Sequence, residues 1–206
     1  FTLENKKTSC TFKTLLGTEI NLAGKNCVFS MNDEIISLAG VMGGASTACN
    51  LDTKSALVEC AHFNPESIIG KSVKYNLTSD AAHKFERGVD VAAQEKVLRR
   101  FVQIVQDHAV IRSIKMKSFS SKEHECISIP IDIVKINGIL GTQLNEAQYL
   151  SYLEKLGFET NTSIKVPSYR GDIKSQNDLA EEIARVIGYN NIDSVPLKLK
   201  KIINNS

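Results

Sequence analysis

The alternation of apolar and polar positions changes character along the chain. From Phe12 to Phe29 it gives two short runs interrupted by Gly17 and Gly24, and Glu34-Ile-Ile-Ser-Leu-Ala then closes on Gly40-Val-Met-Gly43-Gly44. Such spacing, punctuated by glycine, predicts strands and turns rather than helix. Leu57-Val-Glu-Cys-Ala-His-Phe reads as a further strand stopped by Asn64-Pro65, and Pro65 suits the first position of a short helix, Glu66 to about Gly70. A polar helical turn spans Ser79 to Gly88, whose glycine can take a left-handed conformation. Asp90 is placed to cap a long helix in which Val97, Leu98, Phe101, Ile104 and Val105 form one apolar stripe, expected to face a core, with Arg99 and Arg100 in solvent. Ile111–Lys117 reads as a closing strand.

Ser118–Glu125 is polar and is the best linker candidate. Beyond it, Ile127–Ile133 alternates with period two, and Pro130 places that strand at an edge. Helices are predicted over Asn145–Leu156, stopped by Gly157, and over Asn177–Ile187, stopped by Gly188, with a short strand at Ser163–Pro167 between them. The pattern predicts an α+β chain in two parts.

Composition narrows the functional classes. The chain has 206 residues, 42% hydrophobic and 23% charged, as a folded protein would. No apolar run approaches membrane-spanning length, and the amino terminus lacks a signal-peptide layout. Phe1 is not a starting Met, so a piece of something longer is expected. Lys and Arg number 25 against 23 Asp and Glu, and the surplus of +2 falls entirely before residue 126, which argues against a generic nucleic-acid coat protein. Five cysteines without a C-x-x-C pair read as reduced, packed thiols of a cytosolic protein.

Three places invite chemistry. On the last helix Asp178, Glu181 and Glu182 crowd one turn with Arg185 near, and Asp172 lies just ahead. Such a set needs the positive helix terminus, an arginine or a divalent cation to offset its repulsion. From spacing alone the simplest reading has Asp178 serving the helix dipole, Ser175 capping and the glutamates solvated; magnesium is the alternative. Gly40-Val-Met-Gly43-Gly44 lacks the spacing of a dinucleotide fingerprint or P-loop, and a KH loop would need a helix before it, so a tight turn is the safe reading. Glu59, on an apolar strand face, reads equally as a structural anchor or a ligand contact. His62 and His83 form no triad spacing with a nucleophile.

Read together, six segments resemble the β subunit of bacterial phenylalanyl-tRNA synthetase, in family order: Leu38–Gly44, Leu57–Pro65, Ser79–Asp90, Leu156–Phe158, Val166–Ile173 and Asp178–Asn191. The resemblance implies a mixed-sheet portion of the tRNA-editing domain over 1–122, a small winged-helix-like α+β B-five domain over 123–199 and a tail over 200–206. It implies hydrolytic editing of tyrosine wrongly attached to the phenylalanine tRNA. Gly40, Gly43, Glu59, Ser79 and Ala81 match the editing pocket, with Glu59 in the position that accepts the phenol hydroxyl and Ala81 leaving room for the ring. Ser79 stands where the family usually has Thr, and Ala82 replaces a usual Ser.

A Pro-x-His-Ala-Phe-Asp segment of that pocket is expected before Phe1, so hydrolysis by this chain alone is not expected. Asp172, Asp178, Glu181 and Glu182 match magnesium ligands in a site shared with the α subunit. ATP-dependent aminoacylation belongs to the α subunit, within a cytoplasmic heterotetramer of two α and two β subunits that acts on the phenylalanine tRNA without a membrane. The alternatives are a non-catalytic, winged-helix-like nucleic-acid-binding module, disfavoured by an acidic last helix, or a structural interaction fragment.

Overall fold

The computed structural model describes residues 1–119 and 125–193. The chain divides into two compact units, the first Phe1–Phe119. Both combine helices with small antiparallel sheets, an α+β architecture.

The first unit is built on a meander of β1 (Thr2–Lys13), β2 (Glu19–Met31), β3 (Glu34–Leu38) and β4 (Met42–Gly43) in that order, every pairing antiparallel. β1 and β2 pair in unbroken register from Thr2 opposite Ser30 to Lys13 opposite Glu19. Gly17 supplies the positive φ (+84°) of the turn between them. Gly24 also has positive φ (+74°), yet it remains in the ladder opposite Thr8, so it marks a kink and not a break. The first half of β1 is longer than its pattern suggests because Glu4, Asn5 and Lys7 are exposed; only Thr8 and Phe12 on the strand are buried.

Short helices then pack on the sheet. α1 (Pro65–Ile68) starts as Pro65 predicts, with the Asn64 side chain accepting from Glu66 N at 3.1 Å. α2 (Lys71–Tyr75) and α3 (Asp80–Arg87) follow, α3 ending at Gly88 with φ +86°. Ile68, Tyr75, Leu77 and Ala82 join Phe12, Leu22, Val28, Leu38 and Phe63 in one core.

Four expectations fail here. Leu57–Phe63 and Ile111–Lys117 carry no strand, and among the described residues the main chain of 54–63 and 110–118 enters no backbone-to-backbone hydrogen bond. A strand needs a neighbour as well as a pattern, and no other strand runs beside either segment among the described residues. The long helix, α4 (Gln94–Gln106), begins after Ala93, while Asp90 accepts from Ala92 N at 2.9 Å in a turn before it. Its apolar stripe covers no core: none of its residues is buried, and Val97, Phe101 and Ile104 are exposed. Amphipathic spacing reports a face that could be buried and does not name what buries it.

The second unit holds β5 (Ser128–Ile129), α5 (Ile133–Leu140), α6 (Glu146–Lys155), β6 (Glu159–Thr160), β7 (Ile164–Lys165) and α7 (Gln176–Ile187), with its sheet in the order β5-β7-β6. The alternation over Ile127–Ile133 yields only two ladder residues, because Asp132 caps a helix that the alternation concealed: its side chain accepts from Lys135 N at 2.9 Å, and Gly141 ends the helix with φ +70°. α6 is stabilised by a reciprocal cap between Asn145 and Gln148. Tyr149, Leu153, Ile136, Ile164, Leu179 and Ile183 meet in the core. Burial, with Asp132 nearby, pushes the Tyr149 phenol up to about 12, so it stays protonated at neutral pH. Part of the linker candidate Ser118–Glu125, and the tail over 200–206, lie outside the described residues.

All five cysteines are free thiols, but only Cys27 is buried; Cys10, Cys49 and Cys126 are exposed, which corrects the expectation of packed thiols. No helix among the described residues is long and apolar enough to cross a membrane.

Candidate functional site

The glycine turn joins β3 to β4. Val41 N donates to Leu38 O at 3.0 Å, and Gly40 takes φ +70°, a conformation that side chains with a Cβ rarely adopt. A Cβ on Gly40 would also stand 2.9 Å from both Phe63 Cδ2 and Ile68 Cδ1. Gly40 is therefore required twice, by the turn and by the close approach of Phe63. Gly43 differs: its φ is not positive, and a Cβ there would meet nothing within 4 Å. Neither strain nor packing demands glycine at 43.

Ser79 ties α3 to this turn. Its hydroxyl donates to Val41 O at 2.7 Å and accepts from Ala82 N at 3.0 Å, so one oxygen caps the helix and holds the loop. Ala82 is fully buried, and a serine there would have to find a partner for its hydroxyl. Ala81 is exposed in the first turn of α3 and keeps that surface low.

Glu59 approaches from the ladderless segment. The residue is exposed overall, yet enough of the chain surrounds its carboxyl that burial raises its pKa, with no hydrogen bond contributing. Its charge acts on two thiols: Cys27 and Cys60 are raised by burial first and by the Glu59 charge second. Cys27 O in turn accepts from Ala39 N at 3.0 Å, immediately before Gly40. Phe63, four residues beyond Glu59, anchors the segment, with its ring centroid 6.2 Å from Phe29 and 4.9 Å from Phe85 of α3. Gly40, Ser79 and Glu59 thus belong to one region, linked through Cys27, Val41 and Phe63. An open groove of about 740 Å³ lies elsewhere, between β1 and the Asp33–Ile35 and Ala45–Ser46 segments, and contains none of these residues.

In the second unit the four candidate magnesium ligands are differently engaged. Arg170 Nη1 and Nη2 donate to Glu182 at 2.9 and 2.8 Å, while its Nε and Nη2 donate to Asp172 at 2.9 and 2.6 Å. Arg185 adds a bond to Glu182, which is buried rather than solvated as the helix pattern suggested. Hydrogen bonds from Arg170 hold both carboxyls below their ordinary values and raise the arginine.

Asp178 Oδ2 accepts from Ser175 N at 2.8 Å, Ser175 Oγ at 2.9 Å and Lys174 N at 2.9 Å, closing the N-terminus of α7 and lowering its pKa. Glu181 is exposed. As arranged, the four do not fit a magnesium ion: all four oxygens of Asp172 and Glu182 face arginine, and no group of three or more metal-ligating side chains converges among the described residues. Spacing brought the acids into view and missed Arg170. The available signal was the Tyr169-Arg-Gly-Asp172 string and the zero net charge of residues 126–206.

Comparison with known proteins assigns both units. The B3/4 domain model matches residues 1–110, and the tRNA synthetase B5 domain model matches residues 129–189. The chain belongs to the B3/4 domain family, followed here by a B5 domain. Phenylalanine–tRNA ligase β subunits of Dickeya dadantii, Photorhabdus laumondii and Burkholderia lata are 30%, 32% and 34% identical to it over 90%, 91% and 89% of the chain. The chain spans about a quarter of the length of these relatives, 24%, 24% and 23% respectively. Gly40, Gly43, Glu59, Ser79 and Ala81 fall in the B3/4 domain, and the arginine-bridged acids fall in the B5 domain.

Proposed function

We propose that the B3/4 unit serves hydrolytic editing of tyrosine mischarged on the phenylalanine tRNA, with Glu59 accepting the phenol hydroxyl. The two amino acids differ by that one group. An apolar cleft discriminates weakly against an added hydroxyl, whereas a site built to bond it penalises the ligand that lacks it. The carrying observation is the Glu59 carboxyl: it is partly desolvated, with no hydrogen-bond partner among the described residues, and lies four residues before Phe63, whose ring crowds Gly40. A hydrogen bond to such a charged acceptor contributes about 1.5–3 kcal/mol, roughly 10- to 150-fold in discrimination. Gly43 and Ala81 supply clearance for the ring.

In this reading the chain works within a heterotetramer of two α and two β subunits in the cytoplasm. The aminoacylation site and ATP belong to the rest of the assembly, and no catalytic residue for that reaction is assigned here. We place the boundary between the editing and B5 portions at 122/123. The B5 unit serves subunit assembly, with the Arg170 bridge to the buried Glu182 stabilising the α7 face. The test uses the whole ligase. Glu59→Ala and Glu59→Gln should slow deacylation of tyrosyl-tRNA relative to phenylalanyl-tRNA, with aminoacylation retained. Unchanged relative rates would remove Glu59 from the role.

The uncovered stripe of α4 and the unpaired segments 54–63 and 110–118 favour an added structural role, as surfaces that pack against other parts of the assembly. The nucleic-acid-reading alternative for the second unit is disfavoured by α7, where Asp178 and Glu181 outnumber the one basic residue, Arg185.

A further inference from the structure

Where the family resemblance implies a divalent cation, among Asp172, Asp178, Glu181 and Glu182, the chain carries a cation of its own. Arg170 Nη2 lies 2.6 Å from Asp172 Oδ2 and 2.8 Å from Glu182 Oε1, so a single nitrogen stands between the two carboxylates. Nε and Nη1 take the remaining oxygens, Asp172 Oδ1 and Glu182 Oε2, each at 2.9 Å. No oxygen of this pair is left without a donor. The spacing is close to that of charge-assisted N–H···O bonds, about 2.7–2.9 Å, whereas magnesium holds its ligands at about 2.0–2.1 Å in a near-octahedral set.

Charge gives the same answer. Arg170 and Arg185 bring two positive charges to the two negative charges of Asp172 and Glu182, and both arginines bond Glu182. The set is neutral without a metal. A dication entering it would meet two guanidinium groups, and beside the buried Glu182 that repulsion is poorly screened. The other two acids offer little in exchange. Asp178 Oδ2 already accepts from two main-chain N–H groups and the Ser175 hydroxyl, and Glu181 is exposed.

The main chain places the arginine for this task. Arg170 N donates to Pro167 O at 2.9 Å and Ile173 N donates to Arg170 O at 3.2 Å, so Arg170 sits in successive turns between β7 and α7, with buried Ile173 anchoring the far side. Glu182 lies in the middle of α7. The guanidinium therefore ties the 167–173 loop to the helix that follows it, a joint that a metal bridging Asp172 and Glu182 would otherwise have to make.

We propose that Arg170 is the resident cation of this acid set: its guanidinium takes the place of a divalent metal, excludes one from Asp172 and Glu182, and makes the joint between the loop and α7 independent of metal. Removing the guanidinium without replacing its charge converts the carboxylate pair into a divalent-cation site. The inference concerns the second unit alone and does not rest on the editing reading.

The test uses Mn²⁺ as the probe, with free Mn²⁺ followed by electron paramagnetic resonance as this chain is added and magnesium as the competitor. The parent should hold no Mn²⁺ that magnesium displaces. Arg170→Met should gain one such site, about tenfold or more tighter than any in the parent, and Arg170→Met/Asp172→Asn should lose it again. A general loosening of the fold would not be reversed by the second substitution. Because Arg170→Met lowers the stability of the unit, a second measurement uses the parent alone: the NMR signals of the Arg170 Nε–H and Nη–H groups should keep their positions when magnesium chloride replaces sodium chloride at equal ionic strength. The proposal is overturned if the parent binds Mn²⁺ in competition with magnesium and Asp172→Asn or Glu182→Gln removes that binding, if magnesium shifts the Arg170 signals, or if Arg170→Met that is folded by tyrosine fluorescence gains no site.

Discussion

Replacing Arg170 with methionine keeps an aliphatic stem and removes the guanidinium that joins Asp172 to Glu182. The two ion pairs differ in what they contribute. Asp172 is 62% exposed at its side chain, so water replaces much of what it loses and its share is within about 1 kcal/mol. Glu182 is 7% exposed and Arg170 18%, so removing the arginine strands a carboxylate where water does not reach. Breaking a buried pair from one side costs about 3–5 kcal/mol, and the surviving Arg185 contact places this case at the low end, about 3 kcal/mol. For a domain of about 60–100 residues each kcal/mol lowers the midpoint by roughly 4–8 °C, so the second unit should melt about 12–24 °C lower.

Tyrosine fluorescence isolates that unit, because the chain has no Trp and four of its five Tyr (Tyr149, Tyr152, Tyr169 and Tyr189) lie there. The pH dependence supplies a second readout. Arg170 holds Glu182 below its ordinary value of 4.5, so this stabilisation is complete above that value and is lost as pH falls through the lower folded-state value. In Arg170→Met the bonds from Arg170 vanish while burial remains, so the Glu182 pKa rises and acid unfolding begins at higher pH. A loss below about 1 kcal/mol, or an acid limb that does not move, would refute the assignment of Arg170 as the main support of Glu182.

Two further outcomes separate packing from recognition. Gly40→Ala should destabilise the first unit by about 1–3 kcal/mol in urea unfolding, since its Cβ meets Phe63 and Ile68 and its φ is positive, whereas Gly43→Ala should leave the midpoint unchanged and slow tyrosyl-tRNA deacylation in the whole ligase. Magnesium chloride, compared with sodium chloride at equal ionic strength, should not raise the tyrosine-reported midpoint of this chain; a rise that Asp178→Asn abolishes would show a donor set that the arginine bridges conceal.

Most local signals carried by one residue translated into structure, although Asp90 closes a turn ahead of α4 instead of capping it. Pro65 begins a helix, Ser79 and Ser175 cap, and Gly88 and Gly188 turn the chain with positive φ. What failed was each inference that needed a partner. Leu57–Phe63 has a strand's alternation without a neighbouring strand, and α4 has a core-facing stripe without a core. The start of α5 was hidden because Ile131 and Ile133 continue a period-two pattern across the Asp132 cap. In the candidate site, Glu59 was legible as a carboxylate in apolar company. The effect of its charge on Cys27 was not, since 32 positions separate them. Arg170 escaped notice for a related reason: its partner Glu182 lies 12 positions away, beyond helical spacing.

The segment that presents Glu59 is held by the Phe63 ring and not by main-chain pairing. Substitutions between residues 54 and 59 therefore disturb no ladder among the described residues and draw little on the stability of the unit, whereas Ala61 and Phe63 pack on its core. Recognition and folding are consequently separable under selection. In the proposed editing role, Glu59 and its exposed neighbours can drift, or be redesigned for another mischarged side chain, while the scaffold beneath them stays as it is.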